Sequence, residues 1–495
     1  MRFTPTSDLI INATAYILDT DAPGLFDQDF IPQDRALYNA TYRDLANNGL
    51  SIGKFDFIND APKRTEEQNI VAGLSGTYFL RHGTIDAAFS YANTEEESFG
   101  LDLDSTAFVT VAGGEIEEET VYSGEVRFAS PDSDVFEYLL GVSWYRQEDD
   151  IRLGTGFGQP TSLDQYSLTP LQSSLAEDYA IFGSVTARLG LDGLHGTLGL
   201  RYDYAQRETR QRAGVLDIGF TEFVFQDIAL DETFDAVLPR FALRYQLRDN
   251  LNLFASASQG YIPGGFNLAA AEIQLADDVA TFNQESIWSY EAGFKYAFPS
   301  GRGYLNVAAF YVESDNWQEV QVLFNDDGRV VSTAFISADA SIESMGFEIE
   351  TLYSLSPNLK FTGAFGYSDA TYRDFQVSET ENLEGNSVKL VPEYDANVAL
   401  RYETNSGFFG RAELSFTGDM PLNERATAAQ DAVTVVNVQA GYEGDTVSVR
   451  VFGENLTDER IFTGLALANP GGEDGNEYAP LGSPRIIGVE LEFNY

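Results

Sequence analysis

The last fourteen residues, 482–495, alternate strictly between apolar and polar side chains. Ile487, Val489 and Leu491 point to one face of an extended strand, and Gly488 and Glu490 point to the other, because successive side chains of a strand alternate between its faces. Such a strand has its apolar face against either a soluble core or membrane lipid. One strand does not separate these cases, but its repetition along the chain does.

The same two-residue period recurs from end to end, which predicts an all-β fold. Phe347 and Ile349, for example, alternate with Glu348 and Glu350. No long window has apolar residues at helical spacing, and no run approaches the roughly 18 apolar residues of a transmembrane helix. Because the period does not change and no linker interrupts it, the sequence indicates one domain over residues 1–495.

About eighteen antiparallel strands are predicted, each long enough for the roughly nine to eleven residues of a tilted membrane strand. They lie at 8–18, 66–80, 84–95, 118–130, 134–148, 175–190, 194–212, 228–247, 250–260, 284–299, 302–319, 341–355, 358–373, 386–402, 407–420, 433–443, 445–459 and 482–495. A turn at 5–8 would make Arg2 and Phe3 the stub of a further strand, so the chain is expected to start inside a barrel.

The connections between these strands alternate between short and long. The short set includes 80–83, 190–193 and 444–445, which have turn chemistry. The long set is 19–65, 96–117, 149–174, 261–283, 320–340 and 460–481. Short periplasmic turns on one rim and long external loops on the other are typical of a transmembrane barrel in the bacterial cell outer membrane. The chain opens with no secretory signal, so export would need a leader.

Composition excludes several function classes. A net charge of -47 argues against nucleic-acid binding, which needs accessible clusters of Lys and Arg. The absence of cysteine removes disulfide, iron–sulfur and thiolate–zinc chemistry. With only two histidines and no Gly-x-Ser-x-Gly sequence, no enzyme is predicted.

No metal site or other resident cofactor is predicted. The acidic stretches Asp102-Leu-Asp104 and 117–119 could weakly hold calcium at the external loops, although they lack the spacing and glycine of a calcium loop. Calcium could equally bridge the acidic surface to lipopolysaccharide. Outer-membrane lipid and lipopolysaccharide are therefore predicted partners.

Nine basic residues are predicted to face inward near the short turns. The favoured interpretation is solvation of the lumen and cross-strand pairing with acids such as Glu125 and Glu413. The alternative is that they face a separate plug domain inside the barrel. The nine are Arg127, Arg188, Arg201, Arg244, Lys295, Lys360, Arg401, Arg411 and Arg450.

Four segments in order resemble the barrel of the TonB-dependent receptor family. They are SQGYIPGGFN at 258–267, ESIWSYEAGFK at 285–295, FGENLTDE at 452–459 and GSPRIIGV at 482–489, followed by an aromatic C-terminus. The residues that carry the resemblance are Gly260, Pro263, Gly264, Gly265, Asn267, Asn455, Asp458, Pro484, Arg485 and Tyr495.

This resemblance implies a barrel of 22 strands, plugged by an N-terminal domain, that imports a scarce nutrient when the TonB complex pulls on an N-terminal segment. About 18 of those strands are visible here, and no plug or TonB-contacting segment can be found in the sequence. The most expected ligand is a small-molecule chelate, a ferric siderophore first, with cobalamin, haem or a carbohydrate as alternatives. Aromatic side chains at the outer mouth could contact it, and the candidates are Tyr261, Phe266, Trp317, Phe324 and Phe335. A passive porin-like channel is the alternative function.

Overall fold

The computed structural model describes residues 2–22, 30–32, 36, 38, 64–102, 111–133, 135–157, 162–217, 219, 222–268, 280–324, 330–336, 340–378, 381–468 and 477–493. Nineteen strands of one antiparallel sheet form its wall. They are β1 (Arg2–Thr6), β2 (Leu9–Ala22), β3 (Arg64–Leu80), β4 (Gly83–Asp102), β5 (Val111–Ala129), β6 (Phe136–Phe157), β7 (Gln172–Arg188), β8 (Leu194–Gln211), β9 (Ile228–Arg248), β10 (Leu251–Ile262), β11 (Glu285–Ala297), β12 (Gly303–Asp315), β13 (Ser341–Ser356), β14 (Leu359–Asp374), β15 (Tyr394–Glu403), β16 (Phe408–Thr417), β17 (Val433–Glu443), β18 (Val447–Glu454) and β19 (Ile486–Phe493).

Each wall strand pairs with the next one in the chain, so the sheet is a continuous up-and-down meander. The ladders are long: β8 pairs with β9 from Leu194–Tyr245 to Gln211–Ile228. A short strand, Ser167–Leu168, adds to the edge of β6 as the twentieth member of the sheet. The predicted all-β antiparallel fold is confirmed.

The turns occur where the sequence predicted them, but several strands have different lengths. The predicted stub is the strand β1, which turns at Ser7–Asp8 into β2. The predicted loops 96–117 and 149–174 are largely strand, because β4 and β5 pair as far as Asp102–Ala112 and β6 continues to Phe157. The strand predicted at 386–402 was too long, since β15 begins only at Tyr394.

The register gives the wall one apolar and one polar face. Phe347 lies beside Tyr367, and their rings are 5.9 Å apart on the apolar face. On the other face, Glu350 accepts hydrogen bonds from Tyr304 at 2.8 Å and Asn306 at 3.2 Å. The apolar side chains are left uncovered, with Ile487 73% exposed. In an outer-membrane barrel the apolar face meets lipid and the polar face lines the lumen.

Above the wall, the connections fold into a layer of small hydrophobic clusters, here called the outer layer. One cluster includes Phe375, Leu383 and Val388, and another includes Leu422 and Phe462. A three-stranded sheet joins segments far apart in the sequence, because Phe30–Pro32 pairs with Glu477–Pro480, which also pairs with Leu467–Ala468. Within the described ranges, no helix is long and apolar enough to cross a membrane.

Candidate ligand-binding site in the barrel lumen

The wall strand β10 separates from one neighbour at its outer end. Its ladder with β9 ends at the Ser258–Arg240 pair, whereas its ladder with β11 continues to Ile262–Glu285. Residues beyond Ser258 therefore lean away from β9. This departure brings Tyr261 and Pro263 to a cavity on the inner face of strands β2 to β8.

Two glycines allow the segment after β10 to fold tightly. A Cβ atom on Gly264 would lie 2.1 Å from the carbonyl oxygen of Phe282 and 2.7 Å from the ring of Phe234. A Cβ atom on Gly265 would lie 2.6 Å from the Phe282 ring. The backbone of Asn267 then donates a 2.9 Å hydrogen bond to the carbonyl oxygen of Ala280. The glycine pair is thus explained by close approach of the backbone.

The cavity has a volume of about 620 Å³ and a lining of both polar and apolar side chains. Arg201 donates two hydrogen bonds of 2.6 Å to Asp203, which is 5% exposed. Asp178, which also lines the cavity, accepts hydrogen bonds from Arg207 behind it at 2.5 and 3.2 Å. The hydroxyl-bearing residues of the lining are Thr14, Ser75, Ser90, Ser123, Ser143, Tyr145, Tyr179 and Tyr261.

This lining can recognise a polar ligand by hydrogen bonds and aromatic contact. Both arginines form bidentate pairs, which fixes the direction of their remaining N–H groups. The guanidinium of Arg201 also lies 5.5 Å from the centre of the Phe182 ring. Since Arg201 and Arg207 each have a carboxylate partner, neither of the two ion pairs carries a net charge.

The structure separates the five predicted ligand-binding aromatics. Tyr261 lines the lumen cavity, and Phe266 pairs with Thr281 in a small hairpin. Trp317 donates its indole N–H to Glu319 at 3.1 Å inside the outer layer. Phe324 and Phe335 lie on the paired strands Glu319–Phe324 and Val330–Ile336, and their side chains fall outside the described residues. Ligand contact stays a prediction for all five.

A buried acidic group at the base of that hairpin was not predicted. The side chain of Glu319 is 2% exposed and forms a salt bridge with Lys389. Tyr372 donates its hydroxyl to the same carboxylate at 2.7 Å, in addition to the bond from Trp317. Nearby, Glu285 accepts hydrogen bonds from Ser314 and from the backbone of Gln318. Local sequence gives no signal for this cluster, since Lys389 is distant in the chain.

A second ion-pair group lies in the outer layer around Arg425. This residue donates to Glu381 at 2.9 and 3.2 Å and to Glu424 at 2.5 Å. Burial opposes its charge, but the hydrogen bonds to Glu381 and the negative charges of Glu424 and Glu477 raise the pKa of Arg425 above its usual value. The group therefore holds two external connections together through a permanent positive charge.

Most of the nine predicted lumen cations contact nearby acids or aromatic rings. The contacts are Arg127 with Asp86 at 3.6 Å and Glu125 at 3.8 Å, Arg188 with Asp192, Arg201 with Asp203, Arg401 with Glu443 at 3.2 Å, Arg411 with Glu413, Arg450 with Glu490 at 2.6 Å, and Lys295 with the Phe254 ring at 5.7 Å. Lys360 pairs with Arg401 in the sheet register, and Arg244 pairs with Phe254. Arg201 lies farther from the short turns than predicted, and it lines the lumen cavity. Contact with a plug stays a prediction.

The C-terminal family residues form a compact turn before β19. Asn455, at φ 47°, donates to the carbonyl oxygens of Glu459 and Ser483 at 2.8 and 3.2 Å. Asp458 is also left-handed, at φ 59°. Pro484 and Arg485 follow Ser483 and lead into β19. Tyr495 lies outside the described residues. The turn thus ties the end of β18 to the start of the last strand.

The structure describes the side chains of only some of the predicted calcium candidates, so calcium binding stays a prediction. Among the described residues, no group of three or more His, Asp or Glu side chains could hold a metal ion. Glu117 and Glu119 lie on one face of β5 and Glu118 on the other, because the run is extended. Asp102 is described only by its backbone, and Asp104 lies outside the described residues.

Fold and lumen together define an outer-membrane receptor barrel. The family model "TonB dependent receptor-like, beta-barrel" matches residues 3–456, and the chain belongs to this family. Its members are transport receptors of the bacterial outer membrane and not enzymes. The outer-membrane localisation inferred from the strand pattern is confirmed.

Individual proteins show the same relationship. The chain is 26% identical over 310 residues to the metal-pseudopaline receptor of Pseudomonas aeruginosa, covering 61% of this chain and 38% of that protein. Its structure is similar to the ferric yersiniabactin uptake receptor of Yersinia pestis, with a TM-score of 0.75, 18% identity, and coverage of 100% of this chain and 69% of the other. It is also similar to a copper transporter, with a TM-score of 0.71, 13% identity, and coverage of 100% and 72%. The aligned part of the chain thus covers well under half the length of the curated relative.

Proposed function

We propose that this chain forms the barrel of a receptor that takes up a metal chelate, a ferric siderophore first, in TonB-driven transport. The lumen cavity at Tyr261 carries the proposal. Its bidentate Arg201–Asp203 pair, hydroxyl groups and aromatic rings match the needs of a compact polar chelate with an organic frame. The similar proteins include a metal-pseudopaline receptor and a ferric yersiniabactin uptake receptor, which supports a metal chelate as the ligand class.

Binding would begin at the external mouth and continue into the lumen between β8 and the end of β10. The Tyr261 side chain would act as a contact that the ligand meets on entering the cavity. Arg201 would donate hydrogen bonds to oxygen atoms of the chelate without leaving its carboxylate partner Asp203. TonB and its energy source would act on the whole receptor and release the ligand inward.

Tyr261→Phe tests the binding site while preserving the aromatic ring. Ferric citrate and a ferric hydroxamate serve as probes, with binding measured on the protein purified from outer membranes. Loss of one hydrogen bond is expected to weaken binding of the accepted probe about three- to tenfold. Tyr304→Phe is the control, because Tyr304 bonds to Glu350 on another part of the inner wall. Equal affinities for wild type and Tyr261→Phe would contradict the assigned contact.

Uptake of radioactive iron by cells distinguishes transport from a passive channel. Active transport predicts that uptake stops when the proton gradient collapses, while binding persists. Uptake that continues unchanged after the collapse would instead identify a porin-like channel. If neither iron probe binds and abundance does not rise on iron starvation, another nutrient replaces the ferric siderophore.

A further inference from the structure

The wall carries an apolar groove on the face opposite the lumen cavity. Its volume is about 910 Å³. In the sheet register, Gly76 pairs with Ala87, and Phe89 pairs with Gly124, which pairs with Trp144. The small residues form the floor of the groove, while Phe89 and Trp144 stand at its sides. Phe89 is 47% exposed, as expected for the lipid-facing surface.

Steric limits on the backbone do not explain the glycines in this floor. A Cβ atom on Gly76 would come no closer than 3.6 Å to the Ile10 carbonyl oxygen, and one on Gly124 would lie 3.7 Å from the Trp144 ring. Both distances are ordinary van der Waals contacts. Because glycine weakens a strand interior and can mark close approach by another molecule, the missing side chains keep space open for an occupant.

We propose that this groove binds one acyl chain of an outer-membrane lipid. The groove is continuous with the apolar surface that faces the bilayer, so hydrocarbon is the material that surrounds it. A lipid chain in the groove contacts protein on its floor and sides, whereas an ordinary neighbouring lipid contacts only one side. The additional van der Waals contacts favour binding of the lipid in the groove over its exchange with the bilayer. An unfilled groove would lack those contacts.

Aromatic side chains give the bound lipid a direction. Trp144 donates its indole N–H to Glu177 at 3.1 Å, and Tyr179 donates its hydroxyl to the same residue at 3.0 Å. The row continues through Tyr122, whose ring centre lies 6.4 Å from that of Trp144, to Tyr91 at 5.2 Å from Tyr122. Such amphipathic rings occupy the membrane interface. The lipid headgroup is therefore placed at this row, with the chain extending over Gly124 and Gly76.

Native mass spectrometry of protein purified from outer membranes in mild detergent tests the proposal. Gly124→Leu fills the floor of the groove, and Ala87→Leu does so from the adjacent strand. Ala292→Leu is the matched control, since Ala292 lies on the apolar face of β11 beside Ala309. Resistance of the folded barrel to unfolding in cold SDS establishes that each variant has assembled.

The expected result is one fewer retained lipid per chain in Gly124→Leu than in wild type, with no loss in Ala292→Leu. If Gly124→Leu does not assemble, Ala87→Leu provides the same comparison. Equal lipid numbers in wild type and the groove variants would overturn the proposal. Loss of a dimer instead of a lipid would also overturn it, because the occupant would then be a second copy of the chain.

Discussion

The wall and the outer layer of this molecule are stabilised by different kinds of contact. In the wall, each strand pairs with its sequence neighbour, and side chains alternate between two faces. In the outer layer, contacts join distant segments: Lys389 contacts Glu319, and Phe30 pairs with Pro480. A local sequence pattern therefore specifies the wall, whereas the outer layer depends on a few buried interactions.

Because of this difference, the cost of a substitution depends on different features in the two regions. A change on the wall is judged by the face it occupies, since a polar residue is tolerated in the lumen and costly against lipid. A change in the outer layer is judged by its partner, since a buried charge without its partner is costly anywhere in the molecule. Four substitutions test these two rules, and their expected effects decrease from a buried ion pair to a single hydrogen bond.

Lys389→Met should have the largest effect, because it leaves the buried Glu319 carboxylate without its cation. The expected loss is about 3–5 kcal/mol of local stability, reduced by the hydrogen bonds from Trp317 and Tyr372. Hydrogen exchange at the amides of Leu383 and Val388 measures this loss of local stability. The Val388 amide donates to the carbonyl oxygen of Ala370 in β14, and the Leu383 amide donates to that of Phe375, just after β14. Lys360→Met, on the exposed inner wall, should leave that exchange unchanged; similar acceleration in both variants would refute the buried-pair account.

Phe347→Arg tests the wall by placing a charge on the lipid face. Near the bilayer midplane the expected cost is about 2–4 kcal/mol in unfolding from lipid vesicles. Glu348→Gln, one residue away on the lumen face, should change stability by less than about 0.5 kcal/mol. Equal destabilisation by the two variants would show that the faces are assigned wrongly.

Gly264→Ala tests the segment that brings Tyr261 to the cavity. Its new methyl group would collide with the Phe282 backbone, at an expected cost of about 1–3 kcal/mol and with weaker ligand binding. Gly260→Ala is the control, because a Cβ atom there meets nothing within 4 Å. Chelate affinity and thermal unfolding would be measured for both. Normal affinity in Gly264→Ala would mean that this close approach does not position Tyr261.

Tyr372→Phe should produce the smallest effect, about 1 kcal/mol of local stability, because it removes one of several hydrogen bonds to Glu319. The same amide exchange at Val388 would detect it. A loss as large as that of Lys389→Met would indicate that the hydroxyl, and not the salt bridge, holds the cluster together.

The sequence alone was sufficient to predict the wall, because each strand shows the same alternation of apolar and polar side chains. Alternation at Phe347 and Glu348 predicted two faces, and the turn at 190–193 separates β7 from β8 as expected. Strand lengths at the outer ends were less predictable, because polar residues there occupy both faces. Thus the stretch 96–102, predicted to be loop, continues β4.

The candidate site was only partly predictable. Tyr261 was chosen as an outer-mouth aromatic and Arg201 as a cation near the turns, yet both line one cavity. Their proximity depends on the separation of β10 from β9, a tertiary feature with no local pattern. Trp317 was predicted as a ligand contact because the sequence does not reveal that Glu319, its hydrogen-bond partner, is buried.

The central claim is that the lumen cavity holds a metal chelate, and thiol labelling tests it most directly because the chain contains no cysteine. Ser143→Cys places a single thiol in the cavity, and Ser256→Cys places one on the inner face of β10 outside it. Both would react with a water-soluble maleimide in outer membranes, with and without the ferric probe that binds. At least tenfold slower labelling of Ser143→Cys alone is expected, whereas equal rates with and without the probe would contradict the account.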